Sequence, residues 1–125
     1  MDETRIDKLG AAPISPELTA IRTAKDRAAL AVLMGRSTSD FYGSLFTLGA
    51  DADLKDVTRY AVYTSQAGLG LPDRDYYLQP DFTKQKQAYQ AYVAQMLTLA
   101  GWPNATARAA DVVAFETRVA QASLT

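Results

Sequence analysis

The sequence contains no histidine and no cysteine. The lack of cysteine excludes disulfide bonds and thiolate chemistry, and it leaves the redox compartment open. The lack of histidine excludes the triads that use an imidazole as a base, and also the HExxH helix whose two histidines bind zinc. The sequence therefore predicts no catalytic residue and no metal ligand in this chain, which makes it a poor candidate for an autonomous enzyme.

The chain also lacks an excess of charge of either sign, because 13 basic residues face 14 acidic ones and the net charge is −1. Nucleic acids and anionic membranes are bound through clustered basic residues, so we expect neither as a partner. The longest apolar run, residues 28–34, has seven residues and is too short to cross a bilayer. The charged first residues do not resemble a signal peptide.

What is present is typical of a globular protein. The chain has 125 residues, of which 48% are hydrophobic and 22% are charged. This length and composition suit one packed unit with its own core. No repeat or linker divides the sequence, so we predict a single unit over residues 1–125.

Helical patterns cover both ends of the chain. Ser15 followed by Pro16 is typical of a helix start, and Gly35 is expected to stop the helix that begins near Thr23 and Asp26. The predicted helices span residues 2–9, residues 15–21, residues 23–34, residues 80–101 and a last segment that begins at residue 104.

The middle of the chain changes from helical to strand-like patterns. Residues 45–49 and 59–64 are rich in β-branched and aromatic side chains, and the second segment alternates with period two. Polar residues 51–56 between them favour a turn. The predicted fold class is mainly α, with several packed helices and a small two-stranded antiparallel β-hairpin.

The acidic stretch in this turn partly matches the spacing of a calcium-binding loop. Asp51, Asp53 and Lys55 follow the alternate spacing of an EF-hand, but lysine is not a calcium ligand. Asp56 stands where an EF-hand needs glycine. We interpret the stretch as a solvated turn.

A compact string near the centre carries the most information. Two glycines permit close backbone approach or positive φ, and a proline then fixes φ and removes a donor. The candidate site consists of Gly68, Gly70, Leu71, Pro72, Asp73, Arg74, Asp75, Tyr76 and Tyr77.

Two interpretations of this string stay open. Its charged residues could contact substrate or catalytic machinery. Alternatively, Asp73, Arg74 and Asp75 form a local ion-pair network that fixes the loop, while Tyr76 and Tyr77 pack on helices. We favour the second interpretation, because a chain without catalytic residues of its own still needs this corner held in place.

Glu116 is a second anomaly, because it lies at the centre of the apolar stripe of the last predicted helix. A carboxylate at such a position has to be paired, hydrogen-bonded or protonated. We predict a buried carboxylate whose partner is an arginine. A catalytic role is the less favoured alternative.

The string GLGLPDRDYY, residues 68–77, resembles the GLxLPxRDYY signature of neprilysin-like zinc metallopeptidases, which include the endothelin-converting enzymes and bacterial oligopeptidase O. Weaker matches in family-like order are residues 1–21, residues 45–46, residues 51–56, Tyr60 and the tail that contains Glu116. Animal members are rich in disulfides, so the lack of cysteine fits a bacterial relative better.

The resemblance implies a fragment of the N-terminal helical lobe of such an enzyme, in which Met1 need not be a natural start. The parent would hydrolyse peptides with zinc bound in a catalytic lobe, located in the bacterial cytoplasm, the periplasm or outside the cell. The partners implied are that catalytic lobe and the peptide substrates, which the two lobes enclose in a cavity. A free-standing helical interaction or scaffold module without enzymatic activity is the alternative.

Overall fold

The computed structural model describes residues 2–39 and 43–124, and it is mainly α with one two-stranded antiparallel sheet. The predicted fold class is therefore confirmed. In chain order, the elements are α1 (Glu3–Leu9), α2 (Ser15–Thr23), α3 (Arg27–Ser39), β1 (Phe46–Asp53), β2 (Asp56–Gln66), α4 (Asp75–Leu78), α5 (Thr83–Leu99) and α6 (Ala105–Ala122).

The chain divides into two compact units, each described by itself below. The first consists of Met1–Ala24 together with Leu69–Thr125, and the second is Lys25–Gly68. The expectation that residues 1–125 belong to one lobe stays a prediction. Within the described ranges, no helix has the length and apolar character that crossing a membrane requires.

The core of the first unit lies along one stripe of α6. Four residues of this helix are buried at helical spacing: Ala109, Val113, Glu116 and Ala120. Small alanine side chains let α4 and α5 pack closely against this stripe, and both helices contact α6. Tyr77 of α4, which is 2% exposed, completes the buried set among the described residues.

The helix α2 joins the same unit through Arg22. Its Nη2 donates a hydrogen bond of 3.1 Å to the carbonyl of Gly101, and its guanidinium lies 4.5 Å from the centre of the Trp102 ring. Gly101 has a φ of 65° and follows the end of α5. Here the predicted stop of the helix at a glycine agrees with the structure, because a left-handed backbone favours glycine.

Three predicted helix boundaries differ from the structure. The α3 helix begins at Arg27, and it is the Asp26 carboxylate that accepts a hydrogen bond of 2.8 Å from the N–H of Ala29. The helix then continues through Gly35, which does not take a positive φ and so does not terminate it. Ser15 is the first residue of α2 rather than its cap, since a 3₁₀ turn over Ala12–Ile14 leads directly into the helix.

The second unit contains α3 and the hairpin. Strands β1 and β2 pair in antiparallel fashion from Phe46 opposite Gln66 to Ala52 opposite Tyr60. The register shifts between Ala52 and Asp53. The strands are longer than predicted, so residues 51–53 belong to β1 and the turn is confined to residues 54–55. Paired backbone groups extend the ladder through these polar residues because an exposed strand tolerates them.

Candidate functional site

The signature string begins as an extended corner and ends as a single helical turn. The Asp73 carboxylate accepts a hydrogen bond of 3.0 Å from the N–H of Asp75, which opens α4. The N–H of Tyr76 then donates to the carbonyl of Asp73, and that of Tyr77 donates to the carbonyl of Arg74. This short helix was missed by periodicity, because four residues are too few to show a helical repeat.

The turn directs Tyr77 into the core, where its hydroxyl connects three groups. The oxygen accepts hydrogen bonds from the backbone N–H of Gly70, at 3.1 Å, and of Leu71, at 2.9 Å. The same hydroxyl donates to Oε2 of Glu116 at 2.7 Å. One phenol therefore ties the glycine-rich corner to the last helix of the unit.

Glu116 receives a second hydroxyl from α5. Tyr89 donates a hydrogen bond of 3.0 Å to Oε1, so each carboxylate oxygen accepts from one tyrosine. The predicted arginine partner is wrong, since none of the ion pairs among the described residues includes Glu116. Two neutral hydroxyls satisfy the buried carboxylate instead, which is the other solution open to a charge of this kind.

Gly70 is required by the closeness of Tyr89. A Cβ atom built on Gly70 would collide with the Tyr89 hydroxyl and would stand 2.6 Å from the ring carbon Cζ. The need at this position is space rather than unusual backbone geometry. Gly68, by contrast, has a φ of 88°, in the left-handed region that favours glycine.

Arg74 does not form the predicted local ion-pair network. Among the described residues, no ion pair joins it to Asp73 or Asp75. Its Nη1 instead donates a hydrogen bond of 2.9 Å to the carbonyl of Ser123, and its Nε is buried without a partner in the described part of the chain. Arg74 is directed toward the end of α6 instead, and the Asp73 carboxylate accepts its hydrogen bond from the backbone of Asp75.

Two further contacts hold α4 against the start of α5. The Lys86 Nζ donates a hydrogen bond of 2.8 Å to the carbonyl of Tyr77. The rings of Tyr76 and Phe82 stack with their centres 4.2 Å apart. Both contacts add to the fixation of the signature turn on one side, while the carboxylate fixes it on the other.

The electrostatics of the cluster favour protonated tyrosines. Burial, and then the hydrogen bond to Glu116, raises the pKa of Tyr77 to about 12. The same causes, with burial again the larger, raise the pKa of Tyr89 well above its usual range. Both hydroxyls therefore act as donors near neutral pH, and the arrangement serves to fix structure.

The described residues offer no grouping of histidine, cysteine, aspartate and glutamate that fits a metal ion. Asp51 and Asp53, weighed as calcium ligands, lie in β1. Asp53 pairs with Arg59 at 2.9 Å instead. The Asp56 carboxylate accepts from the hydroxyl and the backbone N–H of Thr58, and these bonds lower its pKa.

The structure brings together residues that the sequence treats separately. Glu116 and Tyr77 were singled out independently, and Tyr89 was assigned only to the helical core. The sequence contains one signal for this contact. Glu116 lies within an apolar stripe and needs a polar partner, and the predicted core positions of α5 include two tyrosines that could supply a hydroxyl. Residue spacing does not reveal which hydroxyls reach the carboxylate.

The first unit thus combines a helical stripe that bears a buried carboxylate with a glycine-proline corner anchored to that carboxylate through Tyr77. The model of peptidase family M13 matches residues 1–125, and the chain belongs to this family. The N-terminal part of the family is the region matched.

Relatives of known identity support the assignment. The chain is 32% identical over 138 residues to endothelin-converting enzyme 1 of Cavia porcellus, an alignment that covers 99% of the chain and 18% of the relative. It is 31% identical over 83 residues to endothelin-converting enzyme-like 1 of Mus musculus, which covers 65% of the chain and 11% of the relative.

Solved structures agree with this relationship. The zinc metalloprotease Zmp1 of Mycobacterium tuberculosis in its open state superposes with a TM-score of 0.86 at 32% identity, over 98% of the chain and 20% of Zmp1. Zmp1 in complex with an inhibitor gives a TM-score of 0.87, at the same identity, over 19% of its length. The chain thus spans about a fifth of the length of these relatives.

Proposed function

We propose that the chain is a non-catalytic segment of the N-terminal helical lobe of a zinc-dependent metalloendopeptidase, and that it helps to enclose the substrate cavity. The observation that carries the proposal is the family match over residues 1–125. The absence of histidine from the sequence supports a non-catalytic role for this segment. Peptides are the proposed substrates of the parent, which we take to be bacterial.

Zinc belongs, in this proposal, to a catalytic lobe elsewhere in the same polypeptide. The donor set of the described residues does not fit such a site, because no suitable grouping of ligands exists among them. We therefore assign no step of peptide hydrolysis to this chain. Its proposed contribution is to shape and position the wall of the cavity.

The anchored corner supports this role for the signature. Tyr77 and Glu116 lie inside the unit, whereas Pro72, Asp73 and Asp75 are exposed. The buried members hold the corner, and the exposed members are left available for a neighbouring surface. We propose that the exposed members face the cavity or the catalytic lobe, while Arg74 positions the end of α6 through Ser123.

The proposal is tested with the polypeptide that the natural gene encodes and with the 125-residue chain alone. We expect the natural polypeptide to bind zinc and to cleave a fluorogenic peptide, with loss of activity after chelation and recovery with zinc. We expect the 125-residue chain to show neither zinc binding nor cleavage. If the natural polypeptide showed neither zinc binding nor peptidase activity, the scaffold alternative would be favoured.

A further inference from the structure

One face of the hairpin carries most of its apolar side chains, and the other face carries its charged ones. Residues directly opposite each other in an antiparallel pair point to the same side of the sheet. The register therefore places one set together, here called the apolar hairpin face: Phe46, Leu48, Ala50, Ala52, Tyr60 and Val62. Thr64 and Gln66 lie on the same face at the open end of the hairpin, opposite Leu48 and Phe46.

The opposite face contains the charged residues of the two strands, together with Thr47, Tyr63 and Ser65. Thr47 lies opposite Ser65, and Asp51 lies opposite Ala61. Asp53 forms its ion pair with Arg59, next to the turn. Charges are thus confined to one side of the hairpin, which is the pattern of a sheet with one solvated face and one covered face.

The apolar hairpin face is nevertheless exposed in this chain. Tyr60 is 83% exposed and Val62 is 73% exposed, and Leu48 and Phe46 are also open to solvent. No described residue of the unit Lys25–Gly68 is buried. A two-stranded hairpin is marginally stable by itself in water, so a sheet with this pattern requires a covering element.

We propose that the apolar hairpin face is an intramolecular docking surface, covered by a segment of the same polypeptide that lies outside residues 1–125. This rests on the proposed function. The chain corresponds to only 18% of endothelin-converting enzyme 1 and 20% of Zmp1, so about four fifths of such a polypeptide is available to cover the face.

The chemistry of the face favours a permanent partner over a transient one. No charged residue interrupts it between Phe46 and Tyr60, and charge depletion is typical of interface cores and of obligate contacts. The covering segment should accordingly present aliphatic and aromatic side chains. In Zmp1, the region of similar fold is part of one longer chain, which favours a covalently linked partner over a second copy.

Site-specific photocrosslinking of the natural polypeptide tests the proposal. A benzophenone amino acid replaces Val62 on the apolar hairpin face or, as a matched control, Thr47 on the opposite face of the same sheet. After irradiation, denaturing electrophoresis and peptide mass spectrometry locate the crosslinked residue. We expect Val62 to crosslink within one polypeptide to a residue outside 1–125, and we expect this product to be lost when the probe is at Thr47.

Four results would overturn the proposal: a crosslink from Val62 to a residue within 1–125, a crosslink to a second copy, a crosslink to a different protein, or no crosslink from Val62. Equal intramolecular crosslinking from Thr47 would also count against a one-sided docking surface. Peptidase activity of the same preparations separates the two hypotheses. An active polypeptide without the Val62 crosslink contradicts the docking surface alone, whereas an inactive one with the crosslink contradicts the proposed function alone.

Discussion

The hydroxyl of Tyr77 lies 2.7 Å from Oε2 of Glu116, although 39 residues separate the two along the chain. Through this contact, the backbone N–H groups of Gly70 and Leu71 are connected to the core of α6. The carboxylate thereby fixes a loop that it does not touch directly.

Glu116→Gln should destabilise the chain even though it preserves the shape of the side chain. Glutamine keeps only one of the two acceptor oxygens, so the proton of one tyrosine hydroxyl would lose its acceptor. An unsatisfied buried polar group costs about 1–3 kcal/mol of unfolding free energy. Chemical denaturation monitored by circular dichroism measures this loss.

The matched control for this substitution is Glu17→Gln. Glu17 lies exposed in the first turn of α2, and none of the ion pairs of the described residues includes it. We expect its replacement to change the free energy of unfolding by less than about 0.5 kcal/mol. Equal denaturation midpoints for the two variants would contradict the anchoring role of Glu116.

Gly70→Ala should destabilise the chain through steric overlap. The new methyl group would collide with the Tyr89 hydroxyl, and either the loop or the ring would have to move. Overpacking of this kind costs about 1–3 kcal/mol. Thermal unfolding of the variant measures the effect, and Tyr89→Phe in the same chain should recover part of the loss by removing the nearest atom.

Gly35→Ala provides the control for the glycine substitution. Gly35 lies inside α3 with open space around its Cα, so alanine should be neutral or stabilising by up to about 1 kcal/mol. If Gly70→Ala were tolerated as well as Gly35→Ala, close packing of the corner on Tyr89 would not be the reason for glycine at position 70.

Stability should fall on the alkaline side because of the two buried tyrosines. A free tyrosine has a pKa of about 10, whereas that of Tyr77 is raised to about 12 by burial and by Glu116. Between these values the folded chain retains a proton that the unfolded chain has lost. The contribution of Tyr77 is therefore complete below pH 10 and is lost progressively as the pH rises toward 12.

Denaturant unfolding at a series of pH values measures this dependence. Tyr77→Phe removes the titrating group, so it should reduce the decline in the free energy of unfolding between pH 10 and pH 12. Tyr60→Phe is the control, because Tyr60 is 83% exposed and takes no part in the cluster. An equal decline in the wild type and in Tyr77→Phe would show that Tyr77 does not titrate as inferred.

Local patterns predict the elements of this fold well and their limits less well. The helical stripe of α6 follows from the spacing of Ala109, Val113 and Ala120, and the hairpin follows from the alternation in β2. The predicted helix end at Gly35 was wrong. A glycine ends a helix where its backbone adopts a left-handed conformation, and packing decides whether it does so. The presence of a glycine in the sequence therefore does not show whether the helix ends there.

The sequence singles out Glu116 and the signature string, but it does not show how they are connected. Glu116 was identified from its place on an apolar face, and the signature from its glycines and proline. The arginine partner was a reasonable expectation from charge, yet the observed partners are the hydroxyls of Tyr77 and Tyr89. Long-range pairing depends on how α4, α5 and α6 pack, and no local pattern reports it.

Arg74→Ala should lower the melting temperature of the chain. The guanidinium of Arg74 donates to the carbonyl of Ser123 and thereby links the signature turn to the C-terminal end of α6. Loss of a hydrogen bond to a charged group costs about 2 kcal/mol. For a chain of this size, each kcal/mol corresponds to about 4 °C in Tm, so differential scanning calorimetry should resolve the change.

Arg108→Ala is the matched control for Arg74, because it removes an arginine from the same unit without breaking a link between elements. Arg108 pairs with Asp111 at 2.9 Å within α6, and both side chains are more than half exposed. Exposed pairs one helical turn apart contribute about 0.3–0.5 kcal/mol. A Tm for Arg74→Ala equal to that of the wild type, or to that of Arg108→Ala, would mean that Arg74 does not hold the signature turn. Asp73 and Asp75, whose side chains are exposed, would then be the better candidates for the functional residues of the signature turn.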